Sequence, residues 1–411
     1  MPLAPYLAWS RILPLLSEHD ICSLSRTCTE MRASIQEYLS TECLSLTVVE
    51  ATSLLPLCSL KNAVLPWESL FICVSEYLDW NALAPLLSCC RKLRVLALEF
   101  QCSTPNKYLC LDLPVLILGA IPKSTNLQSL SLIGFVLGTE GSSALASFLD
   151  TRSVRHLTVA SCKLNYGNLF TPLLASAHQP LACIRQISLR HNRLPPPDVT
   201  SSDGAAGHVL GKALMAMTAI EDLDLNNCYV DAQVVKGWKS QHVSFPWKLL
   251  HRWDFGGNFA ISSAGFSSLF QMMPLLCNLT KLSLQMCSLK DDSLDMLVQT
   301  LSLSGSPLHS LVLDRNRLTD RAAMLLARCW RQDELSNDDL RTYGMLSLQY
   351  CSLSHNQIGD EGITALATAL ELTIGAREKP LHLNLSKNYF RADGMRALAQ
   401  LRKRSGWKIS Y

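Results

Sequence analysis

A phrase of eleven residues recurs nine times between Leu127 and Phe390, and this repetition constrains the fold more than any single residue. Its form is apolar-x-x-apolar-x-apolar-x-x-(Asn or Cys)-x-apolar. The copies LTKLSLQMCSL from Leu279 and LHSLVLDRNRL from Leu308 are the clearest, and the copies from Leu127 and Pro380 are looser. A fixed period predicts a stack of similar units in which each unit packs mainly on its neighbours.

The phrase itself predicts a short strand followed by a turn. Residues at its fourth and sixth positions alternate along an extended chain, so both point to one side and the residues between them point to the other. The ninth position lies where the chain leaves the strand and backbone groups lack partners. An Asn amide there supplies donors and an acceptor, and a Cys fills the same place as a small buried group.

The ninth position alternates between two residue types. It is Cys162, Asn192, Cys228, Asn258, Cys287, Asn316, Asn356 and Asn388 in the successive copies after the first, which has Phe135 there. Six consecutive copies alternate Cys and Asn, and most spacings are 29 or 30 residues. Chance alternation over six copies is unlikely, so this regularity is a strong signal of a true repeat.

Helical patterns lie between the phrases, as in IGDEGITALATAL from Ile358, where acidic residues occupy the predicted first turn. The long repeat, the Cys/Asn alternation and this segment resemble the ribonuclease-inhibitor-like class of leucine-rich repeats. The resemblance implies an α/β solenoid, a horseshoe with a concave parallel sheet and convex helices, whose role is binding. We predict such a domain over residues 101–411, ending in a helix and a capping strand (WKISY), and a small helical cap over residues 1–100.

Composition narrows the function classes. A net charge of +3 on 411 residues argues against binding to nucleic acid or to membranes. The N-terminal sequence lacks a secretory signal, and no apolar stretch reaches the roughly 20 residues that span a bilayer. The 16 cysteines include no C-x-x-C pair, which is typical of reduced, buried thiols in a cytoplasmic protein.

The segment before the repeats contains an internal duplication. Residues 3–32 align without a gap on residues 65–94, and the apolar spacing in both copies predicts short amphipathic helices. The second copy, LPWESLFICVSEYLDWNALAPLLSCCRKLRVL, resembles an F-box. This resemblance implies docking on the adaptor of a ubiquitin ligase, with Leu65, Pro66, Leu78 and Leu83 as candidate contacts. Alternatively, the pair of helical units caps the solenoid and hides its first apolar face.

Outward strand positions are the candidate partner-binding surface. Arg155, Arg185, Arg190 and His191 fall on neighbouring predicted strands, and Asp222, Asp224 and Asp254 fall on the next two. A basic strip beside an acidic strip would orient a charged partner. The alternative is cross-strand pairing of solvated charges, which contributes little to stability. Tyr350 is the nearest aromatic candidate on this face.

Two tryptophans and two insertions are further candidates for contact. Trp238 and Trp247 are either exposed anchors for a partner or residues that pack a helix against the sheet. The repeat period is interrupted at residues 195–207 and 331–344, and such insertions map to loops that often carry contacts.

Catalytic and metal-binding patterns are missing from the sequence. The nearest phosphate-loop lookalike, residues 206–213, lacks the first Gly and the Ser/Thr and sits in a helical pattern. The ten His have no metal-ligand spacing. We therefore expect no enzyme, cofactor, metal or small-molecule substrate.

Two functions remain open at this stage. One is a protein-binding scaffold, a structural subunit of a large intracellular assembly such as the cytoskeletal or ciliary ones in which similar repeats recur. The other is an F-box-type substrate receptor of a ubiquitin ligase. Exposure of the four F-box-like contacts would favour the receptor, and their burial would favour the subunit.

Overall fold

The structure, a computed structural model, describes eleven parts of the chain. These parts are residues 45–48, 65–74, 80–100, 111–112, 115–194, 204–239, 246–261, 263–304, 307–331, 347–375 and 379–411. The chain divides into two compact units, residues 1–188 and residues 189–411. Each unit is a stack of strand–turn–helix repeats, and the two are taken in turn.

The first unit contains eight described strands and four α-helices. Its strands are β1 (Ser45–Val48), β2 (Ser69–Val74), β3 (Val95–Phe100), β4 (Leu111–Asp112), β5 (Ser129–Ile133), β6 (Phe135–Val136), β7 (His156–Ala160) and β8 (Gln186–Ser188). Its helices are α1 (Trp80–Cys89), α2 (Val115–Ala120), α3 (Gly138–Asp150) and α4 (Tyr166–Ala175), with a 3₁₀ turn at Pro180–Cys183.

The main sheet of the first unit is parallel, in the order β1-β2-β3-β5-β7-β8, while β4 pairs separately with β6. Its register puts the fourth-position residues side by side in one apolar row. That row is Leu70, Leu96, Leu130, Leu157 and Ile187, each at most 2% exposed. The core of this unit therefore lies between the inward face of the sheet and the helices.

The segment that resembles an F-box does not fold as helices alone. Residues Ser69–Val74 form β2, which pairs in parallel with both β1 and β3. The prediction of an all-helical segment was therefore wrong over these residues. The physical reason is the alternation of Leu70 and Ile72, which are buried, with Phe71, which is exposed, because that period of two belongs to a strand. The earlier copy, residues 3–32, lies outside the described residues.

The second unit has seven strands and seven α-helices among its described residues. The strands are β9 (Asp222–Asp224), β10 (Arg252–Asp254), β11 (Lys281–Ser283), β12 (Ser310–Val312), β13 (Tyr350–Ser352), β14 (His382–Asn384) and β15 (Lys408–Ser410). The helices are α5 (Gly204–Ala216), α6 (Ala232–Lys239), α7 (Ser263–Phe270), α8 (Asp291–Ser304), α9 (Asp320–Arg331), α10 (Asp360–Leu372) and α11 (Ala392–Ser405), with a 3₁₀ turn at Met273–Leu275.

All seven strands of the second unit pair in parallel in chain order. Their fourth-position residues again form one buried row: Leu223, Trp253, Leu282, Leu311, Cys351, Leu383 and Ile409. The predicted capping strand is confirmed, because β15 follows the left-handed Gly406 that ends α11 and continues this row.

The ninth-position Asn residues join each repeat to the one before it. Asn316 donates from Nδ2 to the carbonyl of its own sixth position, Leu313, at 2.9 Å, and to that of the preceding repeat, Leu284, at 2.8 Å. Its Oδ1 accepts from the amides of Cys287 and Leu289, both at 3.0 Å. One buried side chain thus satisfies four backbone groups that the strands leave unpaired.

A ninth-position Cys replaces the donor of the Asn side chain but not its acceptor. The thiol of Cys228 donates to the Leu189 carbonyl at 3.0 Å, the same kind of sixth-position acceptor. A thiol is a weak acceptor, so the amide at the eleventh position of the preceding repeat must find another partner. The Leu194 amide donates instead to the main-chain carbonyl of Cys228, at 3.0 Å.

The backbone conformation follows the residue type at the ninth position. Every eighth residue from Gly134 to Lys387 has a positive φ. The tenth residue has a positive φ after each ninth-position Cys, at Lys163, Tyr229 and Ser288, whereas no tenth residue after a ninth-position Asn does. The Cys repeats and the Asn repeats therefore have two different kinds of turn.

Two helices of the second unit approach closely because glycines face each other. A Cβ added to Gly211 on α5 would lie 2.3 Å from the Val234 carbonyl oxygen and 2.9 Å from the Gly237 Cα on α6. Gly211 is thus a packing residue inside a helix, so the resemblance of residues 206–213 to a phosphate loop has no structural counterpart.

A carboxylate at the start of each late helix ties the next repeat in place. Asp320 Oδ1 accepts from the amides of Gly359 at 2.6 Å and Gly362 at 3.0 Å. Asp360 Oδ1 repeats the arrangement with Arg391 and Gly394, at 2.8 and 2.7 Å. A Cβ at Gly362 would lie 2.5 Å from Asp320 Oδ1, so glycine is required there.

Replacing the bridging amide should destabilise the second unit strongly. We expect Asn316→Ala to lower the free energy of unfolding by about 3 kcal/mol, because buried backbone groups lose their only side-chain partner. Chemical denaturation monitored by circular dichroism measures the change. Asn278→Ala is the control, since Asn278 is exposed and makes one bond, to the Lys248 carbonyl. Equal losses in the two variants would contradict the bridging role.

The glycine contact makes an equally direct prediction. Gly211→Ala should lower the free energy of unfolding by about 2 to 3 kcal/mol, because the added methyl has no room against α6. Gly119→Ala is the matched control in a helix, with nothing within 4 Å of the added Cβ. It should leave stability unchanged or raise it by up to about 1 kcal/mol. A tolerated Gly211→Ala in thermal unfolding would show that the helices can move apart.

Candidate protein-binding surface

The strand register of the second unit builds two outward rows of side chains. The third positions give Asp222, Arg252, Lys281, Ser310, Tyr350, His382 and Lys408. The fifth positions give Asp224, Asp254, Ser283, Val312, Ser352, Asn384 and Ser410. Residues two apart on a strand point to the same side, so the two rows form one surface.

Like charges stand next to each other on this surface. Asp224 is in register with Asp254, and Arg252 is in register with Lys281 on one side and with Asp222 on the other. Neighbouring strands lie about 4.8 Å apart, and like charges placed opposite each other across strands destabilise a sheet. These pairs therefore do not serve the stability of the sheet, which makes them candidates for contact with a charged partner.

Local hydrogen bonds hold the two carboxylates in place. Asp224 Oδ1 accepts from the Asn226 amide at 3.0 Å. Asp254 Oδ1 accepts from the Gly256 amide at 3.0 Å and from Asn226 Nδ2 at 3.3 Å. The side chains are thus pre-positioned, so little conformational entropy remains to be lost when a partner binds.

A second polar cluster lies further along the sheet, and its groups form hydrogen bonds with one another. Ser352 Oγ donates to Asp314 Oδ1 at 2.5 Å, and the Ser354 amide donates to the same oxygen at 2.8 Å. Asn384 Nδ2 donates to Ser352 Oγ at 3.0 Å. Ser352 is buried, so this cluster rigidifies the surface rather than offering free groups to a ligand.

The aromatic candidate has an imidazole beside it. Tyr350 and His382, neighbours in the third-position row, meet edge to face with ring centroids 5.0 Å apart. Burial and, to a lesser degree, the nearby Lys408 lower the pKa of His382 from its ordinary value. The ring therefore stays neutral close to neutral pH and presents a flat, weakly polar patch with Tyr350.

The predicted basic strip is divided between the two units. In the first unit, Arg155 and Arg185 are both exposed on adjacent repeats, and the Arg185 amide donates to the Arg155 carbonyl at 2.8 Å. Arg190 and His191 belong to the second unit, where His191 Nδ1 lies 3.0 Å from Asn227 Nδ2. The three predicted acidic residues, Asp222, Asp224 and Asp254, lie on two neighbouring strands of the second unit. Their role in binding, like that of the basic residues, stays a prediction.

The tryptophans are not exposed anchors. Trp238 and Trp247 are 2% and 1% exposed, and each meets the inward-facing Trp253 edge to face at 6.1 and 5.7 Å. Trp247 Nε1 also donates to the Leu214 carbonyl at 2.9 Å. The interpretation of these residues as partner contacts was wrong, because the large rings fill the space between helix and sheet.

The candidate adaptor contacts are buried as well. Leu65 is 0% exposed, Leu83 is 1% exposed, and Pro66 is also buried. As described, none of these three residues can dock on another protein. Leu83 lies within α1, and the Leu65 amide donates to the Cys89 carbonyl at the end of that helix at 3.0 Å. Leu78 lies outside the described residues.

Sequence reasoning missed the cations of the third-position row. Arg252 and Lys281 are exposed on neighbouring strands, and Lys408 is exposed on the strand next to His382. The repeat phrase could have revealed them, because the third and fifth positions both flank the inward fourth position and therefore point to the same outward face.

Known proteins share this architecture. The sequence model of the family described as Leucine Rich repeat matches residues 346–367. The described strand–turn–helix repeats have the fold of a leucine-rich repeat solenoid. Ran GTPase-activating protein 2 of Arabidopsis thaliana is 29% identical over 114 residues, which cover 28% of this chain and 18% of the plant protein. The chain thus matches less than a fifth of that relative's length.

Two solved structures resemble the whole chain. Rad7, solved in its complex with Elc1 from yeast, aligns with a TM-score of 0.50 and 15% identity over 95% of this chain and 89% of that one. An internalin from Listeria monocytogenes aligns with a TM-score of 0.44 and 15% identity over 96% of this chain and 93% of that one. The Rad7 likeness supports the leucine-rich repeat solenoid fold. Neither the ribonuclease-inhibitor-like class nor the F-box-like segment is confirmed.

The described residues add two negative findings. None of their helices is long and apolar enough to cross a membrane. Within the same residues, no group of three or more His, Cys, Asp or Glu side chains is placed to hold a metal ion.

The His382 environment can be tested by titration. We expect the pKa of its imidazole, measured by NMR, to lie below about 6.5. The pKa should rise in Lys408→Gln, because one of the two causes that lower it is removed. Since the folded state binds the proton less readily than the unfolded chain, His382 should reduce stability as the pH falls below about 6.5. An unchanged midpoint in Lys408→Gln would contradict the placement of these two residues.

Proposed function

We propose that this leucine-rich repeat protein is a non-enzymatic scaffold, a structural subunit of a large intracellular assembly. It would bind other proteins through the outward rows of its second unit. The observation that carries the proposal is the register that sets Asp224 beside Asp254 and Arg252 beside Lys281. Such pairs cost the free protein stability, and a partner of opposite charge would relieve the repulsion.

Rigidity supports a structural role. The ninth-position Asn and Cys residues and the helix-start carboxylates bond each repeat to the next through buried or half-buried groups. A surface held in this way loses little entropy on binding, which suits a permanent contact in an assembly. Rad7 in its complex with Elc1 is another protein of similar fold with a protein partner.

The alternative function, an F-box-type receptor, is less well supported. It requires an accessible helical segment with exposed Leu65, Pro66 and Leu83, and these residues are buried beside a strand of the sheet.

An intracellular location is in keeping with the buried thiols of Cys90 and Cys287, because desolvation raises the pKa of each to about 12 and makes it unreactive.

Affinity purification of the tagged full-length protein from its own cells tests the proposal. We expect a fixed set of proteins to co-purify at stoichiometric yield. The double variant Arg252→Glu/Lys281→Glu should lose these proteins, because the two introduced glutamates repel the acidic residues of the partner. Lys248→Glu/Arg328→Glu is the matched control, since both residues are exposed away from the outward rows. Retention of every partner by the first double variant would remove these rows from the binding surface.

The same purification separates the two functions. A ligase adaptor recovered at stoichiometric yield would favour the receptor and overturn the structural subunit. Structural proteins without an adaptor would leave the segment before the repeats as part of the solenoid. Circular dichroism of each variant would establish that the fold is kept.

A further inference from the structure

A second surface of the second unit lies where the chain leaves each strand. The eighth residue of each repeat, with positive φ, donates its amide to the seventh-position carbonyl of the next repeat. Examples are His191 to Asn226 at 2.8 Å, Met286 to Asp314 at 2.9 Å and His355 to Ser386 at 2.8 Å. These turns therefore continue the ladder of the sheet as one row, with about 4.8 Å between repeats. We call the eighth and tenth residues of these repeats the turn ledge.

The turn ledge has a one-sided chemistry. Its residues are His191, Arg193, Asn227, Tyr229, Gly257, Phe259, Met286, Ser288, Arg315, Arg317, His355, Gln357, Lys387 and Tyr389. Cationic and aromatic side chains dominate this set, and none of its members is acidic. The strand surface differs, because it carries Asp222, Asp224 and Asp254.

One end of the turn ledge is an exposed aromatic stack. The Arg193 guanidinium lies over the Tyr229 ring at 4.6 Å, and Tyr229 meets Phe259 edge to face at 4.9 Å. Phe259 is 49% exposed and Met286, one repeat further on, is 47% exposed. Exposed aromatic and methionine side chains next to arginine have the composition of interface anchors.

The other end of the turn ledge is basic. Arg315, Arg317, His355 and Lys387 lie on the next repeats and are exposed or half-buried at most. Among the described residues, none of these four side chains forms an ion pair with a carboxylate. The cations are therefore available to an acidic partner.

We propose that the turn ledge docks an extended acidic segment of a partner protein that carries a large apolar or aromatic residue. The apolar residue would pack on Phe259 and Met286, and the acidic residues would pair with Arg315, Arg317 and Lys387. From Tyr229 to Lys387 the ledge spans five repeat steps, about 24 Å, which about seven extended residues would cover. This inference rests on the proposed scaffold function and adds a second contact surface with its own partner chemistry.

A protein segment fits the turn ledge better than a nucleic acid does. The net charge of +3 gives no strong long-range attraction for a polyanion. The neighbouring carboxylates Asp224 and Asp254 would also repel a phosphate backbone that ran beyond the ledge. A short acidic peptide can avoid them because it ends where the ledge ends.

Fluorescence anisotropy with the full-length protein tests the proposal. The probe is a fluorescein-labelled peptide in which glutamates alternate with glycines around two phenylalanines. Companion probes replace the glutamates by lysines, replace the phenylalanines by serines, or are single-stranded oligouridylate. We expect only the acidic aromatic peptide to bind well, and Phe259→Ser and Arg315→Glu/Arg317→Glu each to weaken it about tenfold.

Matched controls separate the ledge from general effects of charge or exposed apolar area. Leu275→Ser removes a side chain that is 51% exposed outside the ledge, and Arg402→Glu/Lys403→Glu reverses two exposed charges on α11. Both controls should change the affinity less than about twofold. Equal losses in ledge and control variants, stronger binding of oligouridylate, or no binding of the acidic aromatic peptide would each overturn the proposal.

Cross-linking in the purified assembly gives an independent readout. A photo-reactive phenylalanine analogue in place of Met286 should cross-link to an acidic, aromatic segment of a co-purified protein, and the same group in place of Leu275 should not. If partners are lost in Arg252→Glu/Lys281→Glu but ledge variants keep them and position 286 cross-links nothing, the scaffold function stands and the ledge proposal fails. If no protein co-purifies but the peptide binds as expected, the structural subunit fails and the ledge stands.

Discussion

The structure depends on a hydrogen bond that passes from one repeat to the next through a buried side chain. Parallel strands only three residues long leave many amides and carbonyls near their ends without partners, and water is excluded there. The ninth-position Asn supplies donor and acceptor together, so it closes its own turn and the preceding one at once. Strand register, turn geometry and the inward row of apolar residues all follow from holding this one amide in place.

Cysteine at the same position solves the problem with one group fewer. Its thiol donates to the carbonyl that Asn would use, and the missing acceptor is replaced by the main chain of the Cys itself. That exchange accompanies a left-handed residue at the tenth position. The left-handed conformation costs a residue such as Lys163 or Ser288 only a modest amount of free energy. The exchange of hydrogen-bond partners explains why each of the two residue types at the ninth position has its own turn shape.

Much of this could be predicted from the sequence because a period repeated nine times averages out local ambiguity. The fourth and sixth positions, the ninth-position residues and the capping strand were confirmed for that reason. Residues 69–74 were misjudged because a strand on its own, without an Asn or Cys at the expected distance, has the same apolar content as a short helix. Trp238 and Trp247 were ambiguous because ring size favours burial and binding equally. The turn ledge escaped prediction because its positions are free in the repeat phrase, and only the ladder of amides shows that they line up.

The two kinds of turn restrict how such a chain can gain or lose repeats. Asn repeats follow one another at Asn316, Asn356 and Asn388, and each supplies the acceptor that its predecessor needs. Two consecutive Cys repeats do not occur among the ninth positions. Loss of the Asn258 repeat would bring Cys228 against Cys287 and leave the Val230 amide without the Asn258 side chain that now accepts it at 2.9 Å. We therefore expect duplication or deletion between Cys162 and Cys287 to be tolerated most easily in pairs of repeats, and the repeats after Asn316 to be exchangeable one at a time.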